Sequence, residues 1–336
     1  MEKHISDSMN DEIIKKAAEL FDIEISQINY HGGFENFIYM FTRNNLEYVL
    51  RFVHSDHKIY EYVLGEIEFI DYLDKNGACV STIVKSKYNN VVERIMINDK
   101  DYFTVSVFTR GLGQMVKEDV EDPNFWSNLG EQVGLLHKLT KKFKPKHKRP
   151  IWYDDTLYQI ADKILIKDEL PILNILKETI DYVKNLEENI NNYGLIHTDL
   201  HLGNMVIDKN KNLTFFDFDD AAYKHFISDI AIVIFYRLAF YDLSIEERNH
   251  KSVWILNNFF KGYSTNNKLP KKELLKLNDF LKLRELTLYT VLLANGQEMA
   301  NSEWVSKFIK KYRKRIIHKT PFIDTEYLLA NLDYND

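Results

Sequence analysis

Cysteine is almost missing from this chain: Cys79 is the one thiol in 336 residues. A lone cysteine forms no intramolecular disulfide and leaves no second thiolate for a structural zinc site, so the composition points to a reducing compartment, the cytoplasm. Glycine is also scarce, at 12 residues about half the usual share of roughly 7%, which excludes collagen-like and glycine-linker architectures. Long hydrophobic runs are absent. The longest, Ile230 to Tyr236, falls far short of the roughly 18 residues that a membrane span requires. The opening residues, MEKHISDSMNDE, lack the apolar stretch of a secretory signal. No surplus of positive charge is present either: 44 Lys and Arg stand against 50 Asp and Glu, a net charge of −6, so no overall field draws the chain to nucleic acid. One basic stretch, residues 138–149 (KLTKKFKPKHKR), reads as a solvated connector.

What remains is an ordinary globular composition, 45% apolar and 28% charged, with length enough for two domains or one two-lobed fold. Ile13, Ile14, Ala17, Leu20 and Phe21 recur at helical spacing. The pattern from Tyr30 to Arg110 then turns into short β-rich runs, Phe37–Thr42, Glu47–Val53, Val91–Ile97 and Tyr102–Thr109. Turn chemistry in Arg43-Asn44-Asn45 and in residues 98–101 marks hairpins. One helix, Ile59 to Lys75, interrupts them and stops at Asn76-Gly77. Beyond Asp122-Pro123 the spacing is helical: Phe125, Leu129, Val133 and Leu136 share one face, and Ile172, Leu176, Ile180, Val183, Leu186 and Ile190 another. A short hairpin, Met205–Ile207 and Leu213–Phe216, breaks this second region. The expected organisation is therefore α+β, with residues 1–110 as a small β-rich lobe, residues 111–336 as a larger helical lobe, and a tight hinge at Arg110-Gly111-Leu112-Gly113.

The chemistry concentrates in Gly194–Asn204 (GLIHTDLHLGN) and in Asp217-Phe218-Asp219 beyond the hairpin. A loop, hairpin and second loop bring the chain back, so Asp199, Asn204 and Asp217 can converge. Mg²⁺ takes few protein oxygens and completes its octahedron with water and phosphates, a demand that Asn204 and Asp217 meet. Asp199 is then left to orient a substrate hydroxyl and accept its proton, with positioning and charge neutralisation carrying most of a phosphoryl transfer. His197 would brace the loop. His197 and His201 at i and i+4 could also suggest a zinc pair and a metal-dependent hydrolase, although Gly203 argues against the helix that such spacing needs.

GLIHTDLHLGNMVID followed by FFDFDDA resembles the aminoglycoside phosphotransferase and choline kinase family, small-molecule kinases of protein-kinase-like fold, over about Tyr30 to Phe240. The resemblance implies a bilobal architecture that uses ATP and Mg²⁺, with Asp199 as catalytic base and with Asn204 and Asp217 binding the metal. It also implies roles in the N-terminal lobe. Gly32, Gly33 and Asn36 match the nucleotide loop, where backbone N–H groups can reach phosphates, though a plain β-turn would look the same. Arg51 stands where the family presents a phosphate-binding lysine. Its planar fork suits phosphate but differs in geometry, which leaves open a catalytically weak, nucleotide-binding regulator. Glu66 matches the glutamate that pairs with that cation, with Glu68 as the competing choice. Val107, Phe108 and Thr109 would neighbour the adenine, or serve simply as core. Asp229 would be a structural acceptor capping its helix or the catalytic loop, and Asp219 an accessory group.

The resulting expectation is an ATP- and Mg²⁺-dependent O-phosphotransferase acting on a small hydroxylated molecule, an aminoglycoside-like antibiotic or an amino alcohol. Homoserine-like metabolites and protein hydroxyls are conceivable acceptors within the same class. Neither nucleic acid nor a membrane is an expected partner, and nothing in the residues sets an oligomeric state. Asp219, Asp220, Glu285, Glu298 and Glu303 suggest by their sign a cationic acceptor.

Overall fold

The computed structural model describes residues 3–33, 35–117, 119–295 and 302–334. Within them the chain divides into two compact units. The first comprises Met1–Gln114, Phe143–Arg149 and Met205–Asp219, and the second Met115–Lys142, Pro150–Asn204 and Asp220–Asp336. Phe34 and Glu298 lie outside the described residues.

The first unit begins with helices α1 (Lys3–Ser8) and α2 (Asp11–Phe21). The Asn10 carboxamide starts α2 by accepting the backbone N–H of Glu12 and Ile13 at 3.0 and 3.1 Å. A six-stranded antiparallel sheet follows: β1 (Asn29–Gly32), β2 (Phe37–Arg43), β3 (Leu46–His54), β4 (Ile83–Val84), β5 (Glu93–Met96) and β6 (Tyr102–Thr109), in the order β1-β2-β3-β6-β4 with β5 also on β6. Asn44 and Asn45 make the two-residue turn from β2 to β3 with φ of 55° and 61°, the left-handed pair that a tight hairpin requires. The two faces have different work. Leu50, Phe52, Val105 and Val107 join Ala17, Ala18 and Phe21 of α2 in one core. Arg51, paired with Ser106, looks the other way with Phe108, two residues along β6. The helix α3 (Tyr60–Lys75) belongs to this unit, with Glu66 fully buried.

The basic run departs from the expected solvated connector. Its last residues return to the first unit, where the Glu68 carboxylate accepts the backbone N–H of Lys146 and His147 at 3.0 and 2.9 Å. Arg149, only 5% exposed, donates to the carbonyls of Tyr62 and Asp219 at 2.7 and 2.6 Å. These backbone oxygens accept from the planar guanidinium and tie the end of the run to the unit. The hairpin Met205–Ile207 and Leu213–Phe215 also lies in this unit, with the Phe215 N–H bonded to Cys79 and the Ser81 N–H to Phe215, each at 2.9 Å. Gly111 and Gly113 follow from that hairpin. A Cβ on Gly111 would stand 2.6 Å from Val206, and one on Gly113, already at φ 110°, 2.1 Å from the Ile207 carbonyl.

The second unit is mainly helical. Asp122 caps α4 (Pro123–Thr140), and Pro123 occupies its first turn, where no N–H is needed. The next long helix, Leu170–Lys184, stops earlier than the apolar spacing implied: Leu186 lies past its end and Ile190 is 61% exposed. Asn185 ends it, and the polar run to Asn192 makes turns instead. The strand Tyr193–Ile196 then pairs antiparallel with Ala222–His225 just before the almost wholly buried helix Ile227–Leu238. No helix among the described residues is long and apolar enough to cross a membrane.

The helix Ile245–Asn266 packs on α4 through glycines. A Cβ at Gly130 would lie 1.9 Å from the Phe259 carbonyl, at Gly134 2.6 Å from that of Tyr263, and at Gly262 1.7 Å from that of Ser127. Helix propensity alone would make Gly130→Ala stabilising by about 1 kcal/mol. Here the backbones must separate, so we expect Gly130→Ala to destabilise by about 1–3 kcal/mol, read as a lower denaturation midpoint with an unchanged denaturant slope. A stabilised variant would show that the two helices do not meet at this residue.

Candidate active site

In the first unit the site is built around Arg51. The strand places its guanidinium over the Phe108 ring at 4.9 Å and against Glu66, where Nη1 and Nη2 donate to the two carboxylate oxygens at 2.8 and 2.7 Å. This fork-to-fork pair resolves the choice left by the sequence: Glu66 meets the strand cation, while Glu68 holds the 146–147 backbone. Burial acts to lower the Arg51 pKa, but the carboxylates of Glu66 and Asp219 outweigh it and raise it, so the side chain remains a fixed cation. Its Nε is buried and has no hydrogen-bond partner among the described residues.

Asp219 is the second centre of this unit. Lys58 Nζ lies 2.5 Å from its Oδ2 and Asn36 Nδ2 donates to the same oxygen at 3.0 Å. Its Oδ1 is 3.7 Å from Arg51 Nη1. Burial would raise the Asp219 pKa, yet Lys58, His57 and Arg51 hold it well below the usual carboxylate range. His57 stands 3.0 Å from Glu35 and 3.6 Å from Asp219. Burial lowers its pKa, but those two carboxylates prevail and push it up to about 9. Sequence reasoning missed Glu35, His57 and Lys58. Their only signal was a histidine-lysine pair between a strand and a helix, which carries no motif.

Gly32 and Gly33 take φ of 126° and 128°, and β1 slips register at Gly32. A Cβ at Gly32 would meet nothing within 4 Å, whereas one at Gly33 would fall 1.9 Å from the Asn36 carbonyl. The turn thus leaves open space at the first glycine and folds tightly on Asn36 at the second. The three β6 residues separate. Phe108 shares the Arg51 face, Val107 is buried in the opposite core, and the Thr109 N–H donates to Thr82 at 2.9 Å. Asp217, exposed at the far end of the hairpin, adopts φ 63°.

In the second unit, the loop after the strand Tyr193–Ile196 is organised by Asp229. This carboxylate, fully buried in the helix Ile227–Leu238, accepts the N–H of Thr198 at 2.9 Å and of His197 at 3.3 Å. Its Oδ2 also lies 3.2 Å from His137 Nε2. Asp229 therefore serves the loop and not the end of its own helix, whose cap is Phe226. Thr198, at φ 63°, is further tied by Oγ1 to the Asp220 carbonyl at 2.6 Å.

Those ties present Asp199. Asn204 Nδ2 donates to its carbonyl at 3.0 Å and to its Oδ2 at 3.1 Å, which leaves the amide oxygen of Asn204 for another partner. His201 Nε2 is 3.4 Å from the same Oδ2. Arg284, from the helix Leu277–Ala294, donates from Nη2 to Asp199 Oδ1 and to the Tyr236 hydroxyl. Burial would raise the Asp199 pKa, but Arg284 and then His201 and His197 lower it, so the carboxyl is ionised throughout the neutral range. Lys224 is buried in the same unit with its ammonium 5.1 Å from the Trp152 ring, and burial lowers its pKa to about 8.

The acidic residues singled out for an acceptor do not all remain available. Glu285 is buried in an ion pair with Arg315 at 2.7 Å, Glu303 pairs with Lys307 at 2.7 Å, and Asp219 is buried against Lys58 through its Oδ2. Asp220, exposed beside the Thr198 tie, keeps its place near the loop.

The second unit thus holds an ionised aspartate bonded to an asparagine five residues on, and the first a strand cation locked to a helix glutamate. Comparison with known proteins gives the family. The chain is 27% identical over 314 residues to the amicoumacin kinase of Bacillus subtilis (strain 168), covering 93% of each. An amicoumacin kinase solved in complex with AMP-PNP, Ca²⁺ and Ami matches with a TM-score of 0.90 at 28% identity, over 98% of this chain and 100% of that one. The fold alone is shared with a microcompartment-associated aminopropanol kinase, at a TM-score of 0.72 and 19% identity over 92% of this chain and 98% of that one. A profile of the phosphotransferase enzyme family matches residues 26–251. With well over half of its length covered by that profile, the chain belongs to the phosphotransferase enzyme family, and it is a small-molecule kinase of α+β, protein-kinase-like fold.

Proposed function

We propose that this protein transfers the γ-phosphoryl group of ATP, with Mg²⁺, to a hydroxyl of a small molecule in the cytoplasm, and that the acceptor is a cationic antibiotic or amino alcohol. The observation that carries the reading is the ionised Asp199 held by Asn204 and by the Asp229-anchored loop. In the loose transition state of phosphoryl transfer the base chiefly orients the attacking hydroxyl, which asks for a fixed carboxylate more than a strongly basic one. Residues 1–110 supply the nucleotide-binding lobe in this reading, and 111–336 the catalytic loop and the acceptor groups.

The residues fit the implied cofactors. Open space at Gly32, and the Nε of Arg51 and Oδ1 of Asn36 that have no hydrogen-bond partner among the described residues, suit a polyanionic nucleotide with hydroxyls and bridging groups. Arg51, braced by Glu66, would pair with phosphate oxygens, the Gly32-Gly33-Asn36 turn would offer backbone N–H groups, and Phe108 with Val107 and Thr109 would flank the base. Asn204 and Asp217, which flank the hairpin in sequence, offer the hard oxygens that Mg²⁺ prefers, and Mg²⁺ when bound would neutralise phosphate charge. Acceptor class rests on Asp220 near the loop and on the amicoumacin kinases at 27% and 28% identity.

Asp199→Asn keeps the volume and removes the proton acceptor. Phosphoryl transfer should fall by roughly 10²–10⁴-fold with nucleotide affinity retained, and a near wild-type kcat would refute the base. Asp217→Ala should weaken Mg²⁺-dependent stabilisation by ATP in thermal melts and abolish turnover. Unchanged affinity and unchanged turnover at saturating Mg²⁺ would remove Asp217 from the metal site. Among hydroxylated acceptors, amicoumacin, an aminoglycoside and 1-aminopropan-2-ol should outperform neutral sugars and anionic hydroxy acids of similar size, with a KM that rises with ionic strength. A salt-independent preference for neutral acceptors would overturn the cationic class, and ATP stabilisation without any turnover across the panel would favour the regulator.

A further inference from the structure

Arg284 has no place in the sequence motifs, yet it makes the closest polar contact of the proposed base. The helix Leu277–Ala294 carries it to Asp199, 85 positions away in sequence. Its Nη2 donates to Asp199 Oδ1 and to the Tyr236 hydroxyl, and its Cζ stands 4.8 Å from the centre of the Tyr236 ring. Its Nε is buried with no partner among the described residues. The other carboxylate oxygen, Oδ2, is engaged by Asn204 Nδ2 at 3.1 Å and faces His201 Nε2 at 3.4 Å. Two oxygens held by donors from different elements fix the rotation of a carboxylate as well as its position. The Asp199 side chain nonetheless remains 22% exposed and can be reached.

We propose that Arg284, supported by Tyr236, is a positioning residue that sets the orientation of the Asp199 carboxylate toward the acceptor hydroxyl. This rests on the assignment of Asp199 as the base. An arginine on a base would be costly where catalysis demanded a strong proton acceptor. Phosphoryl transfer tolerates it, because orientation of the nucleophile and electrostatics dominate. A guanidinium beside the carboxylate also offsets the repulsion between that carboxylate and an approaching anionic phosphoryl group. The planar fork, lying over a tyrosine ring, loses little freedom in making these contacts, which a lysine would not match.

The test is a double-mutant cycle on the full chain with Mg²⁺–ATP and the fastest acceptor of the panel above. Arg284→Met should lower kcat about 10- to 100-fold with the KM for ATP within about twofold, and Arg284→Lys should recover part of the loss. In an Asp199→Asn background, Arg284→Met should cost less than about threefold, because a group that acts through the carboxylate has little left to act on. Equal losses in both backgrounds, or a loss confined to the acceptor KM, would overturn the positioning role. Should Arg284→Met melt far below the wild type, the decision passes to Tyr236→Phe, which removes one hydroxyl from the guanidinium. That variant should lower kcat about 3- to 10-fold in the wild type and hardly at all with Asp199→Asn, and an unchanged wild-type kcat would overturn the proposal. An Asp199→Asn enzyme as fast as the wild type refutes the base itself, a result separate from any behaviour of the Arg284 variants.

Discussion

The second unit's chemistry depends on one buried carboxylate. Asp229 sits in a helix that is apolar on nearly every side, where an unsatisfied charge would cost several kcal/mol. It is satisfied by the N–H groups of His197 and Thr198 and by the His137 ring. Those same bonds hold Thr198 at a positive φ, a conformation that costs about 1–2 kcal/mol in a residue with a Cβ. The helix and the loop thus solve each other's problem. The carboxylate needs donors, and the strained loop needs an anchor that keeps Asp199 and Asn204 in mutual reach.

The first unit repeats the logic with the signs exchanged. Arg51 is a cation on a buried strand, and Glu66 meets it with both oxygens from α3. Removing one partner from such a pair typically costs about 3–5 kcal/mol, because it strands the other charge. Asp219 adds a further anion, itself compensated by Lys58 and His57. The result is a dense alternation of charge on one face of the sheet, while the other face is plain hydrocarbon packed on α2. An arginine in this position presents a planar fork where a lysine would present a point charge, and the bidentate carboxylate of Glu66 is its geometric match.

Local chemistry explains which parts were legible. The hairpin after Asn204 was readable because alternating apolar residues flank a polar five-residue turn, and the start of α4 because Asp-Pro is a helix signal that needs no tertiary help. Asp199 and Asn204, five apart, were readable because the bond between them spans one loop. The end of the helix Leu170–Lys184 was misjudged because periodicity continued by chance to Ile190, while the asparagines after Lys184 make turns. The basic run looked like a solvated connector because nothing local reveals that Glu68 and the Tyr62 carbonyl await its backbone and its arginine.

By itself the sequence determined the two kinds of structure, the order of the elements and the identity of the loop that carries Asp199, because periodicity, turn residues and short spacing are local properties. Tertiary structure alone decided which charge meets which. Lys58 reaches Asp219 across 161 positions and Arg284 reaches Asp199 across 85. Contacts at that separation are set by how helices and strands pack, and packing leaves no pattern in the spacing of the charged residues themselves. A carboxylate's role as base, ion-pair partner or backbone anchor therefore depends on neighbours that the chain brings to it only on folding.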